Sequence, residues 1–308
     1  MPGMQFYNLD SNEQMFFKRQ LEYVKTELYE KRYPNLKARE LIPVSMSAPL
    51  GAKTITYRMY DKVGFAKIVA NYATDFPKVT VTAKEETAKV KRLGDSFSYT
   101  VDDIQAAIMA NLNLETRLAM AAQRGIMELE NRIAWFGDTA AGLGGFLTNS
   151  NIPEAVAPNG GAGSPLWANK TPDEIIKDVS VLINTVITQS NGVEQANTVL
   201  FPVTAYSYLS TTPRSANTDT TILAFLKSVF RQITRWDWLN ELETAGTGGT
   251  RLAVAYNRDP MNLTLEIPED FNVYPAQERG LEFEVPCSSK TAGVIVYYPL
   301  TANKMYGF

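Results

Sequence analysis

Apolar and polar positions alternate with a period of two over a long stretch of this chain, from about 50 to 100. Ile55, Tyr57 and Met59 alternate with Thr54, Thr56, Arg58 and Tyr60, and Val79, Val81 and Ala83 with Lys78, Thr80, Thr82 and Lys84. Ala88 and Val90 then alternate with Lys89 and Lys91, and Phe97 and Tyr99 with Ser96 and Ser98. That period predicts strands with one apolar and one polar face. Positions 61 to 77, with Gly64, Asn71, Asp75 and Pro77, are expected to form the turn-rich far end of the hairpin. An isolated hairpin is only marginally stable in water. Its apolar face must therefore rest on the chain's own core or on a neighbouring copy, and the second case would make the protein a building block.

On either side the period becomes helical. Ser11-Asn12-Glu13-Gln14 is a capping-box pattern, followed by Phe17, Leu21, Val24 and Leu28 in a narrow stripe that ends near Tyr33, just before Pro34. This stripe docks either on its own domain or on a neighbour. Thr100-Val101-Asp102-Asp103 opens a second helical region, with Ile104, Ala107 and Ile108 as its first face, and Asn111-Leu112-Asn113 interrupts it. A helix of about 33 Å, at ~1.5 Å per residue, is expected over 115–136. Leu118, Ala122, Ile126, Leu129 and Ile133 share one of its faces; Glu115, Arg117, Gln123, Arg124, Glu128, Glu130 and Arg132 decorate the rest, and Gly137 ends it.

Glycine-rich loops fill 138–168. Thr171-Pro172-Asp173-Glu174 starts a helix that runs to Asn191-Gly192. A buried strand at 198–201 and helices at 205–209 and 221–230 follow. Strands are expected near 233–239, 252–256, 263–267, 281–285 and 294–298. The fold class is α+β.

With 308 residues, 45% of them apolar and 20% charged, the chain has room for a large core or two moderate ones. Its net charge is −3, from 30 Lys+Arg against 33 Asp+Glu. No basic run stands out, which argues against a tight grip on nucleic acid, since that needs many phosphate contacts at once. The lone cysteine, Cys287, rules out an intrachain disulfide and is expected to be a small buried residue. Histidine is absent, which excludes Ser-His-Asp and Cys-His catalysis and His-ligated metals. The N-terminal residues lack a signal-peptide pattern and no apolar run reaches membrane-spanning length, so the expected place of synthesis is the cytoplasm of the producing cell.

Candidate chemistry is thin. Ser288-Ser289-Lys290-Thr291 puts a serine near a lysine, and Lys290-Thr291-Ala292-Gly293 is faintly similar to the Lys-Thr-Gly triad of β-lactamases. Yet Cys287, not a serine, stands three before Lys290, and a polar turn between two strands is the preferred reading. Of the acidic pairs, Asp102-Asp103 and Asp173-Glu174 sit at helix starts, and Glu85-Glu86 lies on an exposed strand. The glycines at 142–163 fit neither a Walker loop nor GxGxxG. Trp236-Asp237-Trp238 reads as core or interface. Lys53, Arg58, Lys62, Lys84, Lys89, Lys91 and Arg92 make the hairpin locally basic, either as an arm on DNA or, preferred, as salt-bridge donors to a neighbouring copy. No catalytic, cofactor or metal residue is assigned. The intersubunit-contact set is Phe17, Leu21, Arg58, Lys62, Lys84, Glu85, Glu86, Lys89, Lys91 and Arg92.

Several stretches carry a family resemblance. They are Tyr60-Asp61-Lys62-Val63-Gly64-Phe65-Ala66-Lys67-Ile68, Tyr72-Ala73-Thr74-Asp75-Phe76-Pro77, Leu93-Gly94-Asp95-Ser96-Phe97-Ser98-Tyr99 and Asn131-Arg132-Ile133-Ala134-Trp135-Phe136-Gly137-Asp138. Gly144-Gly145-Phe146-Leu147-Thr148-Asn149, Leu200-Phe201-Pro202, Ile267-Pro268-Glu269-Asp270-Phe271 and Gly280-Leu281 continue the series. In this order they resemble the major capsid proteins of tailed bacteriophages, with the Hong Kong 97-type fold.

The resemblance implies an N-arm at 1–45 and an E-loop at 46–100 lying across the adjacent subunit. It implies a P domain with a spine helix at 101–169, most of an A domain at 170–285, and strands returning to the P domain at 286–308. It further implies a self-assembling icosahedral shell of hexamers and pentamers around weakly contacted double-stranded DNA, located in the virion capsid and synthesised in the host cytoplasm. Scaffold, portal and decoration proteins are the other implied partners, with no membrane. Only about 45 residues precede the E-loop, so any scaffold is expected to be a separate protein, and no Lys–Asn crosslink is assigned. The alternatives are an encapsulin-like compartment and, from another class, a Ser-Lys hydrolase using Ser288 and Lys290.

Overall fold

A computed structural model describes residues 34–63, 80–110, 114–215 and 218–308, and Leu36–Phe308 form one compact unit. The first half contains Ala38–Leu41 (α1), Val44–Ser45 (β1), Thr54–Val63 (β2), Thr80–Lys89 (β3), Lys91–Thr100 (β4), Val101–Ala110 (α2), Leu114–Phe136 (α3) and Glu154–Val156 (β5). Pro172–Gln189 (α4), Thr198–Pro202 (β6), Val203–Thr211 (α5), Ile222–Val229 (α6), Arg235–Leu239 (β7) and Leu252–Tyr256 (β8) come next. The chain closes with Leu263–Glu266 (β9), Glu269–Val273 (β10), Gln277–Arg279 (β11), Glu282–Thr291 (β12), Gly293–Val296 (β13) and Ala302–Tyr306 (β14).

A mixed five-stranded sheet, β5-β14-β8-β6-β7, divides two cores. Every residue of β6 and β8 is buried, as expected of strands covered on both faces. Val199, Phe201, Ala253 and Ala255 meet Ile175, Val179, Leu182, Ile183 and Val186 of α4, with α5 and α6 closing that core. Leu200, Leu252, Val254 and Tyr256 point the other way, to Trp135, Phe146 and the sheet β1-β9-β13. Helix α4 starts where its local chemistry dictates. The Thr171 hydroxyl accepts from the Glu174 amide, the Glu174 carboxylate accepts from the Thr171 amide, and Pro172 takes the first helical position.

A third core lies under α3. Ala122, Ile126 and Ile133 pack on Leu93 and Phe97 of β4 and on Val285 and Cys287 of β12. Strand β12 pairs with β4 along ten residues, from Glu282↔Thr100 to Thr291↔Lys91, and its other edge pairs with β10 and β11. Pro286 is tolerated inside β12. Its carbonyl accepts from the Tyr274 amide at 2.9 Å, so its ring nitrogen, pointing the same way, faces the connection between β10 and β11, where no ladder bond is required.

The structure corrects several sequence expectations. The stretch over 50–100 is not one hairpin. Strands β2 and β3 pair over their full length, from Thr54↔Lys89 to Val63↔Thr80, but β4 turns away after Val90 to join β12, because Leu93 and Phe97 bury under α3. Ser288 to Thr291 are not a turn: they finish β12, with Ser288, Ser289 and Thr291 buried and the Thr291 hydroxyl bonded to the Glu266 carbonyl at 3.0 Å. Helix α3 buries Glu130, at 2% exposure, while Leu129 is 38% exposed. No residue of α2 is buried among the described residues: of its expected apolar face Ile104 and Ala107 are half-covered and Ile108 is exposed. Strand β14 is not among the strands expected from the alternation pattern, the last of which ends at 298. The N-terminal helix with Phe17 and Leu21, the turn at 64–77 and the interruption at 111–113 lie outside the described residues.

Candidate functional site

Strands β2 and β3 form a sheet of their own, with no third strand among the described residues. Its charges first meet each other, both across the two strands and along β3. Arg58 Nε donates to Glu85 at 2.6 Å, Lys84 Nζ to Glu86 at 2.5 Å, and the Tyr57 hydroxyl to Glu86 at 2.6 Å. Lys84, and then Tyr57, hold the Glu86 carboxyl below the usual carboxylate range. Burial, and then Glu86, push the Tyr57 phenol up. Thr56 and Thr87 add a hydroxyl contact at 3.1 Å. Arg58–Glu85 is more than half exposed on both sides, and such pairs contribute at most about 1 kcal/mol. They set register and surface charge more than stability.

The hairpin touches the body near its root. Tyr57 meets Tyr297 edge-on with centroids 5.0 Å apart, and the Tyr297 and Thr264 hydroxyls lie 2.9 Å apart. Beside this contact Met59, Lys84 and Glu86 line a cavity of about 400 Å³ with Asn151, Tyr297, Tyr298 and Leu300. Lys89 reaches over Gly142. Arg92 lies 3.8 Å from Glu269, and Lys91 is exposed. Lys62 stands opposite Val81 in the ladder. The structure thus brings Arg58, Lys84, Glu85 and Glu86 together, and separates Lys91 and Arg92 from them on β4. Phe17 and Leu21 lie outside the described residues.

The segment just before the hairpin is clamped by groups that sequence reasoning missed. Arg39 binds Glu130 through two bonds, 2.6 and 2.8 Å, and Asp270 at 2.8 Å. Glu130, and against it burial, set the Arg39 guanidinium, with a net shift well above its ordinary value. Asn131 Oδ1 accepts from the Ala38 amide at 3.0 Å, and its amide donates to Glu241 at 2.6 Å. Lys37 binds Asp237 at 2.7 Å and lies over the Trp238 ring at 3.6 Å, while Arg235 joins Glu40 to Asp237. The Tyr256 hydroxyl and Arg258 both donate to the Leu41 carbonyl, at 2.7 and 3.1 Å. The Trp-Asp-Trp triplet signalled one half of this clamp. Its other half is Glu130 and Asn131, of which Glu130 reads in the sequence as helix surface and Asn131 has no role assigned.

Hydrolytic chemistry finds no support. Lys290 Nζ is held 2.8 Å from Glu269 and donates to the Leu50 carbonyl at 2.6 Å, whereas a general-base lysine must shed its proton. Ser288 is buried against the Tyr274 hydroxyl. Burial, and then Asp95, push the buried Cys287 thiol up, away from thiolate character. Among the described residues no group of acidic, cysteine or histidine side chains is placed to hold a metal ion, and no helix is long and apolar enough to cross a membrane.

Residues 64–307 match the family model described as "Major capsid protein". No curated protein sequence matches the chain. Among solved structures, the capsid of Myoviridae phage XM1 aligns with a TM-score of 0.82 at 20% identity, over 96% of this chain and 99% of that one. A chain from Mycobacterium phage Bobi aligns at 0.65 and 12% identity, over 92% and 94%. The virus-like particle from Pyrococcus furiosus aligns at 0.54 and 14% identity, over 86% and 90%.

Proposed function

The chain belongs to the major capsid protein family, with the Hong Kong 97-type α+β fold and a structural rather than enzymatic role, and on that premise we propose that its copies close into an icosahedral shell of hexamers and pentamers around double-stranded DNA. The observation that carries this reading is the β2–β3 hairpin. It makes a two-stranded sheet of its own among the described residues, whereas two strands alone are marginal in water. Its partner is then another copy. In this reading 46–100 supply the E-loop and its return strand, 1–45 the N-arm, and 101–169 the P domain with α3 as spine. Most of the A domain comes from 170–285, and 286–308 return to the P domain. Arg58, Lys62, Lys84, Glu85, Glu86, Lys89, Lys91 and Arg92, with Phe17 and Leu21, make the contacts between copies.

The net charge of −3 favours loose packing of DNA inside, because a duplex is gripped only where many phosphates are neutralised. Synthesis in the host cytoplasm and scaffold, portal and decoration proteins as partners complete the proposal. The test is electron microscopy of the purified protein, sized first by light scattering and co-expressed with its neighbouring genes. Closed shells are expected. A small monodisperse species under all of these conditions would overturn the reading.

A further inference from the structure

Charge of opposite sign, unpaired among the described residues, lies at the two ends of strand β4. At its start Lys91 adjoins Lys53 and Lys89: Thr54 is in register with Lys89, and the Val90 amide donates to the Lys53 carbonyl at 2.9 Å. All three lysines are exposed and have no acidic partner among the described residues. At its end Thr100 pairs with Glu282, and the Val101 amide donates to the Leu281 carbonyl at 3.2 Å. This gathers Asp102, Glu278 and Glu282 at one tip, exposed and without a cationic partner among the described residues. Their neighbours Asp103 and Glu284 are engaged by Thr100 and Arg279. Nine steps along β4 separate the two ends by about 30 Å at ~3.3 Å per residue. Screening acts over about 8 Å at physiological salt, so one chain cannot neutralise its own two ends.

The acidic end is also where, among the described residues, an apolar helix is only half covered, with Val101, Ile104 and Ala107 partly shielded. Seven of the ten residues of α2 are apolar, yet none is buried. Ile108 is 74% exposed and Met109 93%, and Leu281 beside the helix start is 77% exposed. A helix this short is marginal in water without tertiary packing.

We propose that the hairpin root of a second copy covers this face, setting its Lys53, Lys89 and Lys91 against Asp102, Glu278 and Glu282 and drying Ile108, Met109 and Leu281. The assignment rests on the shell reading above and names the surface that receives the next subunit. The occupant is another copy because the complementary charge is on the chain itself, in matching number. A contact between unlike surfaces runs head to tail, and it closes into a ring when the rotation per copy divides a full turn.

A charge exchange tests it. The chain with Asp102→Lys, Glu278→Lys and Glu282→Lys, and the chain with Lys53→Glu, Lys89→Glu and Lys91→Glu, should each lose at least tenfold in particle yield while keeping the parent's circular dichroism and melting temperature. One chain carrying all six changes should recover yield to within about threefold. In parent particles mixed from light and heavy isotope-labelled protein, carbodiimide crosslinks of mixed isotope should join 101–110 or 274–284 to 53 or 89–92. Full yield from either triple variant, no recovery in the six-fold variant, or mixed crosslinks that bypass α2 and its tip would overturn the assignment and leave the shell standing. Absence of any parent particle would instead remove the shell reading, and this assignment with it.

Discussion

Tyr57 and Tyr297 meet edge to face, their centroids 5.0 Å apart and their planes at 89°. One ring belongs to the hairpin; the other is anchored to β9 through the Tyr297–Thr264 hydroxyl contact. The pair couples the hairpin to the body at its root, and such pairs contribute about 0.5–1.5 kcal/mol beyond area burial. Tyr57→Ala should speed amide exchange over 54–60 and 83–89 several-fold in the unassembled protein, with little change in α4 or β8. Unchanged exchange in the hairpin would mean that the ring pair does not hold it.

Arg39 is the cation for buried Glu130. Arg39→Ala leaves that carboxylate without its partner, which typically costs about 3–5 kcal/mol; partial exposure of Arg39 favours the lower end. The denaturant midpoint should fall accordingly. Arg39→Ala with Glu130→Leu should recover much of the loss, since the stranded charge is gone. If the single variant unfolds like the parent, the clamp is not a stabilising element.

Acid should weaken the fold in a definite window. Asp270 is held below its usual range by Arg39, Glu269 by Lys290 and Glu86 by Lys84. Burial, the largest single influence on Asp237, raises it, but Lys37, the Trp238 amide and Arg235 together bring it below its usual range. A carboxyl whose folded pKa is depressed contributes stability above its unfolded pKa, about 4, and loses it as pH falls through the folded value. Asp178, beside Lys170 at 2.5 Å, has the opposite sign: burial raises it, so its contribution shrinks as pH rises. With these depressed groups, and Asp103 and Glu174 lowered as well, against this one, and no histidine in the chain, the melting temperature should drop as pH falls below about 4. A melting temperature level down to pH 2.5 would contradict this.

Gly145 closes the end of α3. A Cβ there would lie 2.2 Å from the Gly137 nitrogen, backbone against backbone, and Gly137 itself has φ +69°. Gly145→Ala should therefore cost about 2–3 kcal/mol, as overpacking does when nothing nearby can yield. Chemical denaturation of the soluble variant measures it, and a loss under 0.5 kcal/mol, roughly the level of neutral surface changes, would show that the loop moves freely.

Elements with local punctuation were legible in the sequence. Helix α4 was readable from Thr171-Pro172 and Asn191-Gly192, α3 from its 3.6-residue stripe and Gly137, and the β2–β3 hairpin from strict alternation. Strands whose polarity is settled by distant partners were not. Strand β14 buries Asn303 and Lys304 because the Leu182 carbonyl accepts from one at 3.1 Å and the Leu147 carbonyl from the other at 3.0 Å. Strand β12 interrupts its apolar run with Pro286, Ser288 and Ser289. Of the candidate site, the basic hairpin was legible, but the acidic tip that faces away from it was not, since Asp102 read only as part of a helix start.

Period and capping, which act within a few residues, sufficed by themselves for the α+β class, the hairpin and the long helix, and composition alone excluded histidine chemistry. Only the tertiary structure decided that β4 leaves the hairpin for β12, nearly two hundred positions away, and that Glu130 turns inward to Arg39. It alone also showed that no residue of α2 is buried among the described residues. These are choices of partner, and a partner is selected by long-range burial and charge pairing that no local pattern records.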